Sequence, residues 1–259
     1  MLRALKRQLF PVRVGYHRWK RRRHWRTHPQ RWATTRQKAT AFPSVLFEHR
    51  SPLDRGLGSA EMVRGKIHNV RLALRCLNEL VVQPGEVFSF CRLVGPTGRR
   101  QGYRPGPEMH DGEMQARPGG GLCQLANMMF LLAIHMDARI IERHRHSLDL
   151  APDQDRTVPF GCGATIFYNY VDLQFENTLD VPVLIHVHAT ETELIGQVRT
   201  QAPLTFRITL QETNHRWVRD SGAIYRENMV WRVHWPQEQR QLLFQNRCRV
   251  AYEAQHLLE

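Results

Sequence analysis

The chain has 259 residues, 42% of them hydrophobic and 24% charged, a balance that suits a globular protein with one sizeable core or two small ones. Of its 37 Lys/Arg, thirteen fall in residues 1–47, where there is no Asp or Glu, and the remainder carries 24 basic against 24 acidic residues. The formal charge of +13 therefore belongs to an N-terminal arm, which argues against a folded body with a basic nucleic-acid-binding face.

The arm, residues 1–42, begins "MLRALKRQLFPVRVGYHRWKRRRHWR". Charges interrupt it throughout, so it lacks the apolar stretch and small-residue cleavage site of a signal peptide. No later segment approaches the roughly 18 uncharged apolar residues of a membrane span. Trp19, Trp25 and Trp32 interleave with the Arg/Lys cluster, a composition that suits an anionic membrane surface. It also suits RNA phosphates and bases, and a solvated basic tail is the plain alternative. The membrane surface is the preferred expectation. Five cysteines (Cys76, Cys91, Cys123, Cys162, Cys248) are an odd number without CxxC spacing. With no export signal, a reducing cytoplasm and free thiols are expected, with the protein peripheral to the inner membrane face if the arm binds lipid.

Residues 43–65 show little periodicity and several turn formers. "IHNVRLALRCLNEL" then places Ile67, Val70, Leu74 and Leu77 at helical spacing, with Cys76 off the stripe as a bystander. "VVQPGEVFSF" reads as a Pro84-Gly85 turn into a short strand. Residues 95–121 hold eight glycines and four prolines and read as a long loop, of the kind that serves binding. Residues 123–136 are apolar nearly all round, which predicts a helix inside the core. "ARIIERHRHSLDL", "GATIFYNYVDLQFEN", "VPVLIHVHAT", "LTFRITL" and "NMVWRVHW" read as strands. Helices precede strands, so the expected class is α+β: a buried helix with a Gly-Gly-Gly-x-Cys head packed on an antiparallel sheet. The expected organisation is a basic arm over 1–42, a core over 43–200 and a β-rich extension of the same domain over 201–259.

The chemistry gathers around "RPGGGLCQ". As a phosphate cradle the glycines are poor, because no strand precedes them and no P-loop Lys-Ser pair follows. As a thiol site they do better. A cysteine in the first turn of a helix feels the positive end of the macrodipole, which favours thiolate. Glycines permit close approach of a substrate and leave N–H groups as oxyanion donors. His144 and His146, two apart, would share one strand face and supply a base. Asp172 is the candidate to orient it, with Asp149 and Asn169 behind. Two alternatives stand beside this reading. Cys123 could be a packing cysteine with His144 and His146 bonded to nearby carbonyls. Cys123, His144 and His146 could also hold a metal, although their spacing matches no zinc pattern. No metal or cofactor is expected.

"IHNVRLALRCLNELVVQPGEVFSF", "VGPTGRRQGY", "GGGLCQLANMMFLL", "ERHRHSLDL", "DRTVPFGCGATIFYNYVDLQFEN" and "YRENMVWRV" together resemble the VanW family. The resemblance places a glycine-cysteine motif on Gly119, Gly120, Gly121, Cys123 and Gln124, and an Arg-His-x-His-Ser motif on Arg143, His144, His146 and Ser147. Many exported members have an acid where this chain has Gly163, so a carboxylate orienting the histidine must lie elsewhere. The resemblance implies a link to glycopeptide (vancomycin) resistance and cell-wall precursors. The expected partner is a cell-wall precursor or peptide-like ligand. A Cys123–His146 thiol centre would transfer or hydrolyse an acyl group; the rival is a non-catalytic module that grips the precursor in the glycine-rich loop.

Overall fold

The structure, a computed structural model, describes residues 2–27, 30–56, 58–110, 113–145, 148–149 and 157–252. The first half of the chain forms α1 (Leu2–Thr27), β1 (Ser44–Pro52), α2 (Ala60–Leu77), β2 (Leu80–Val82), β3 (Val87–Ser89), α3 (Phe90–Val94), β4 (Pro105–His110), β5 (Glu113–Pro118) and α4 (Leu122–His135). Then come β6 (Arg139–Glu142), β7 (Leu148–Asp149), β8 (Gln174–Glu176), β9 (Val183–Ala189), β10 (Glu193–Thr200), β11 (Arg207–Asp220), β12 (Ala223–Trp235) and β13 (Gln239–Val250). Helices packed on mostly antiparallel sheets make the class α+β.

Helix α4 is the buried helix read from residues 123–136. Its side chains are apolar on every face, so each face needs a partner. On one side Met128 and Leu132 lie against β10, where Gly196 leaves room: a Cβ there would come within 2.5 Å of the Met128 sulfur. That strand belongs to the sheet β1-β10-β9-β2, antiparallel throughout. On another side Phe130 meets Phe244 of β13 at 6.2 Å between ring centroids. Strand β13 lies in the sheet β11-β12-β13-β7, whose short last member runs parallel to it. Strands β3, β8 and β6 form a third sheet, and β4 and β5 an antiparallel hairpin.

Helix α2 starts at an N-cap, Ser59, whose side chain accepts from the Met62 N–H at 3.3 Å. It turns Val70, Ala73, Leu74 and Leu77 to the core, as the spacing predicts. Its last carbonyls, of Arg75 and Cys76, accept the fork of Arg36 at 2.6 and 2.7 Å.

Several expectations need correction. Residues 43–65 contain β1, whose pairing to β10 rather than its own pattern makes it a strand. Residues 95–121 are not one loop, because β4 and β5 pair from Pro105↔Pro118 to His110↔Glu113. The strand expected over 138–150 stops at Glu142. The strand expected over 163–177 is confined to Gln174–Glu176, and Phe167 instead bridges back to Val171 in a tight turn. The arm forms helix α1 in place of a solvated tail. With no acidic residue to offset its cations, α1 depends on tertiary contacts. The chief one is a fork from Arg21 to both oxygens of Glu142, each at 2.7 Å. Among the described residues no helix is long and apolar enough to cross a membrane.

One core contact titrates. His135, at the end of α4, stacks face to face on Phe47 of β1 at 3.5 Å and donates Nδ1–H to the Ile208 carbonyl at 3.0 Å. Burial pushes its pKa down to about 4. The folded value lies below the unfolded one of roughly 6.5, so stability is complete above 6.5 and is lost as pH falls towards 4. The loss attributable to this group should be about 3 kcal/mol. Urea unfolding of the wild type and His135→Gln across that range should show the difference between them shrinking as the pH falls.

Candidate functional site

The three glycines before Cys123 are first a packing device. Gly119 and Gly121 have φ of 82° and 91°, the left-handed region that L side chains avoid. Gly120 crosses Gly106 at the start of the β4–β5 hairpin, where a Cβ on Gly120 would sit 2.1 Å from the Gly106 carbonyl oxygen. Behind this crossing Asn69 of α2 is fully buried. Its Nδ2 donates to the carbonyls of Arg104 and Gly120, both at 2.9 Å, and its Oδ1 accepts from the Arg104 N–H at 2.8 Å. One carboxamide thus ties α2, the hairpin and the turn together. The expectation that the glycines clear a path to the thiol is replaced by backbone contact that no side chain would permit.

Cys123 lies in the first turn of α4, as expected. It is half-buried, yet protein surrounds it closely enough that burial pushes its thiol up; a hydrogen bond from the Ile166 backbone opposes this and the Glu108 carboxylate adds to it. Burial thus works against the thiolate anticipated at a helix head. Among the described residues no hydrogen bond joins Cys123 to His144 or Asp172.

The other expected members disperse. His146 and Ser147 lie outside the described residues. His144 comes after β6 ends, is exposed, and places Nε2 3.3 Å from a Glu142 oxygen. Burial raises Glu142, but the Arg21 fork outweighs it and holds that carboxyl below the usual range. Among the described residues Asp172 bonds no histidine. It is wholly buried and accepts from Ser89 Oγ at 2.6 Å, the Cys91 and Leu173 N–H groups at 2.8 and 2.9 Å, and Gln174 Nε2 at 2.9 Å. With four donors it is a knot joining β3, α3 and β8. Asp149 is committed elsewhere, to Arg226 at 3.3 Å and the Tyr252 hydroxyl at 3.0 Å. Asn169, fully buried at φ 56°, donates its backbone N–H to Cys91 Sγ at 3.4 Å. Arg143 is structural too. Its guanidinium lies over the rings of both Phe130 and Phe244, and its Nε donates to the Gly163 carbonyl at 2.8 Å. Burial pushes its pKa down to about 10. Among the described residues no three metal-ligating side chains gather, and His146, the third member of the set considered, lies outside them.

What the α4 head does bring together is Gln124 and a residue the motifs did not mark, Lys66. Both are at least nine-tenths buried. The Lys66 stem runs over Gly121, where a Cβ would meet its Cγ at 2.3 Å. No hydrogen bond or ion pair holds its ammonium among the described residues. Burial pushes its pKa down to about 8, with the like charge of Arg55 adding and Asp54 opposing. Gln124 Nε2 donates to Ser51 Oγ at 2.8 Å and the Pro52 carbonyl at 2.7 Å, while its Oε1 is buried without a donor. Both side chains border the segment 51–55. Among the described residues no side chain caps α4, and its first N–H groups, those of Leu122 and Cys123 included, have no intrahelical acceptor. A largely buried lysine, an enclosed acceptor and a helix N-terminus thus lie at the head of α4. The sequence did carry one signal of Lys66: it falls on the same helical face as Asn69, Val70 and Ala73, where a lysine is out of place.

Residues 65–199, just over half of the chain, match the family described as VanW like protein. The vancomycin B-type resistance protein VanW of Enterococcus faecalis is 30% identical over 217 residues, covering 81% of this chain and 79% of that one. The uncharacterized protein YoaR of Bacillus subtilis is 31% identical over 125 residues, 47% of this chain and 39% of its own length. No solved structure matches the chain.

The pH dependence of Cys123 alkylation should have its midpoint above the free-thiol value of about 8.5 and should not move in His144→Ala. Mass spectrometry of the modified peptide reads it. A midpoint well below that value would restore the thiolate centre.

Proposed function

The chain belongs to the VanW family, and on that premise we propose that it binds a peptide-like cell-wall precursor at the head of α4 by an anionic end, without reacting with it at Cys123. The observation that carries this reading is Lys66, a largely buried lysine whose stem crosses Gly121 at the uncapped N-terminus of α4 and whose pKa burial lowers to about 8. A desolvated cation is costly until an anion joins it, so a carboxylate arriving there recovers the cost. Charge-assisted bonds from an ammonium and helix N–H groups are the strong kind. Gln124 Oε1, enclosed without a donor, could accept an amide N–H of the same ligand once the 51–55 segment moves aside, which would favour a peptide over a simple anion.

The link to glycopeptide resistance rests on a relative named for vancomycin B-type resistance. A cytoplasmic setting suits the five cysteines, all free thiols. The thiol-acyltransferase reading loses support because burial raises the Cys123 thiol, leaving a weaker nucleophile at neutral pH.

Calorimetric titration of the full chain with an N-acylated dipeptide bearing a free C-terminal carboxylate, and with its C-terminal amide, tests the proposal. The carboxylate should bind and the amide should be at least about tenfold weaker. Lys66→Met, which keeps the stem and removes a buried charge, should fold at least as stably and lose the preference. Cys123→Ser should bind like the wild type. Equal affinity for carboxylate and amide, or product release that depends on Cys123, would overturn the reading.

A further inference from the structure

Helix α1 presents two opposite faces with different fates. Positions 14, 18, 21 and 25 face the protein. Val14 is buried, and Arg18 Nε donates to the Tyr168 carbonyl at 3.2 Å. Arg21 forks onto Glu142, and Trp25 lies under the Arg92 guanidinium at 5.8 Å. At 3.6 residues per turn, positions 12, 16 and 19 point the other way. There Val12, Tyr16 and Trp19 are 70%, 57% and 55% exposed, the three most exposed large hydrophobic residues among those described. Leu5 and Leu9 continue the same spacing in sequence.

The stripe is bordered by cations and no acid. Arg13, Lys20, Arg22 and Arg26 are exposed on its flanks, and Arg23 stacks on the Trp19 ring at 5.7 Å. Beyond residue 47 basic and acidic residues balance, so the net positive charge of the chain comes from its first 47 residues. The docked face fixes which way the stripe looks, so α1 need not order itself on binding. A line of aliphatic and aromatic side chains flanked by Arg/Lys is the chemistry of a helix lying in a lipid headgroup layer. Val12, the most exposed of the three, has no π-face to offer a nucleic-acid base, which favours lipid over RNA.

We propose that the outer face of α1 docks the protein on an anionic phospholipid surface, with Val12, Tyr16 and Trp19 entering the headgroup layer and the flanking Arg/Lys residues neutralising lipid phosphates. Cosedimentation of the full chain with vesicles of phosphatidylcholine, with or without phosphatidylglycerol, tests it. Binding should need the anionic lipid and weaken with salt. The double variant Tyr16→Ser/Trp19→Ser and the charge reversal Lys20→Glu/Arg26→Glu should each reduce binding at least about tenfold. Both alter exposed positions, so circular dichroism and melting temperature should stay those of the wild type. No binding by the wild type, equal binding to neutral vesicles, or undiminished binding by the Tyr16/Trp19 variant would overturn the proposal. So would single-stranded RNA binding, lost in that variant, by a protein that ignores vesicles.

Discussion

Because α4 exposes no polar face, two sheets and a helix must close on it from different directions. Twelve of its fourteen residues, from Leu122 to His135, are buried, and only Cys123 and Asn127 keep appreciable exposure. Sheet β1-β10-β9-β2 covers one side through the cleft left by Gly196, and the hairpins of β11 to β13 cover another through Phe244. The same enclosure that stabilises the core by burying apolar surface also strips water from whatever polar groups sit at the ends of the helix. His135 at one end and Lys66 beside the other both titrate far below their ordinary values for that reason.

This is why the role proposed for the α4 head is binding rather than thiol chemistry. Desolvation acts on every ionisable group there, and its sign depends on the charge of the group. It disfavours a thiolate at Cys123 and an ammonium at Lys66 alike. Only the second can be relieved by an incoming anion, and the helix N-terminus adds to that attraction. The glycine turn contributes by holding its backbone rigidly against α2 and the β4–β5 hairpin through Asn69, so the N–H groups of the first turn are fixed before a ligand arrives.

The sequence made some of this legible and hid the rest for identifiable reasons. The α+β class, the α2 stripe and the all-apolar α4 follow from periodicity, which is a local signal. Strand β1 was hidden because its pairing to β10 is non-local, and the β4–β5 hairpin because its glycines and prolines imitate a loop. The glycine-cysteine motif was visible, but its meaning depended on Gly106 and Asn69, distant in sequence. Asp172 looked like a catalytic carboxylate because the donors that saturate it, from Ser89 and Gln174, are invisible until the chain folds. Lys66 belongs to no motif, and only its helical register marks it as a buried charge.

The central claim is that Lys66 holds a desolvated ammonium waiting for an anion. Carbon-13 NMR of the Lys66 Cε, followed against pH in the full chain and identified by its loss in Lys66→Met, measures this directly. The account requires a midpoint near 8 in the free protein and a rise towards the ordinary lysine value of about 10.4 when the carboxylate dipeptide is bound. A free-protein midpoint already at that ordinary value, or one that the dipeptide leaves unmoved, would contradict it.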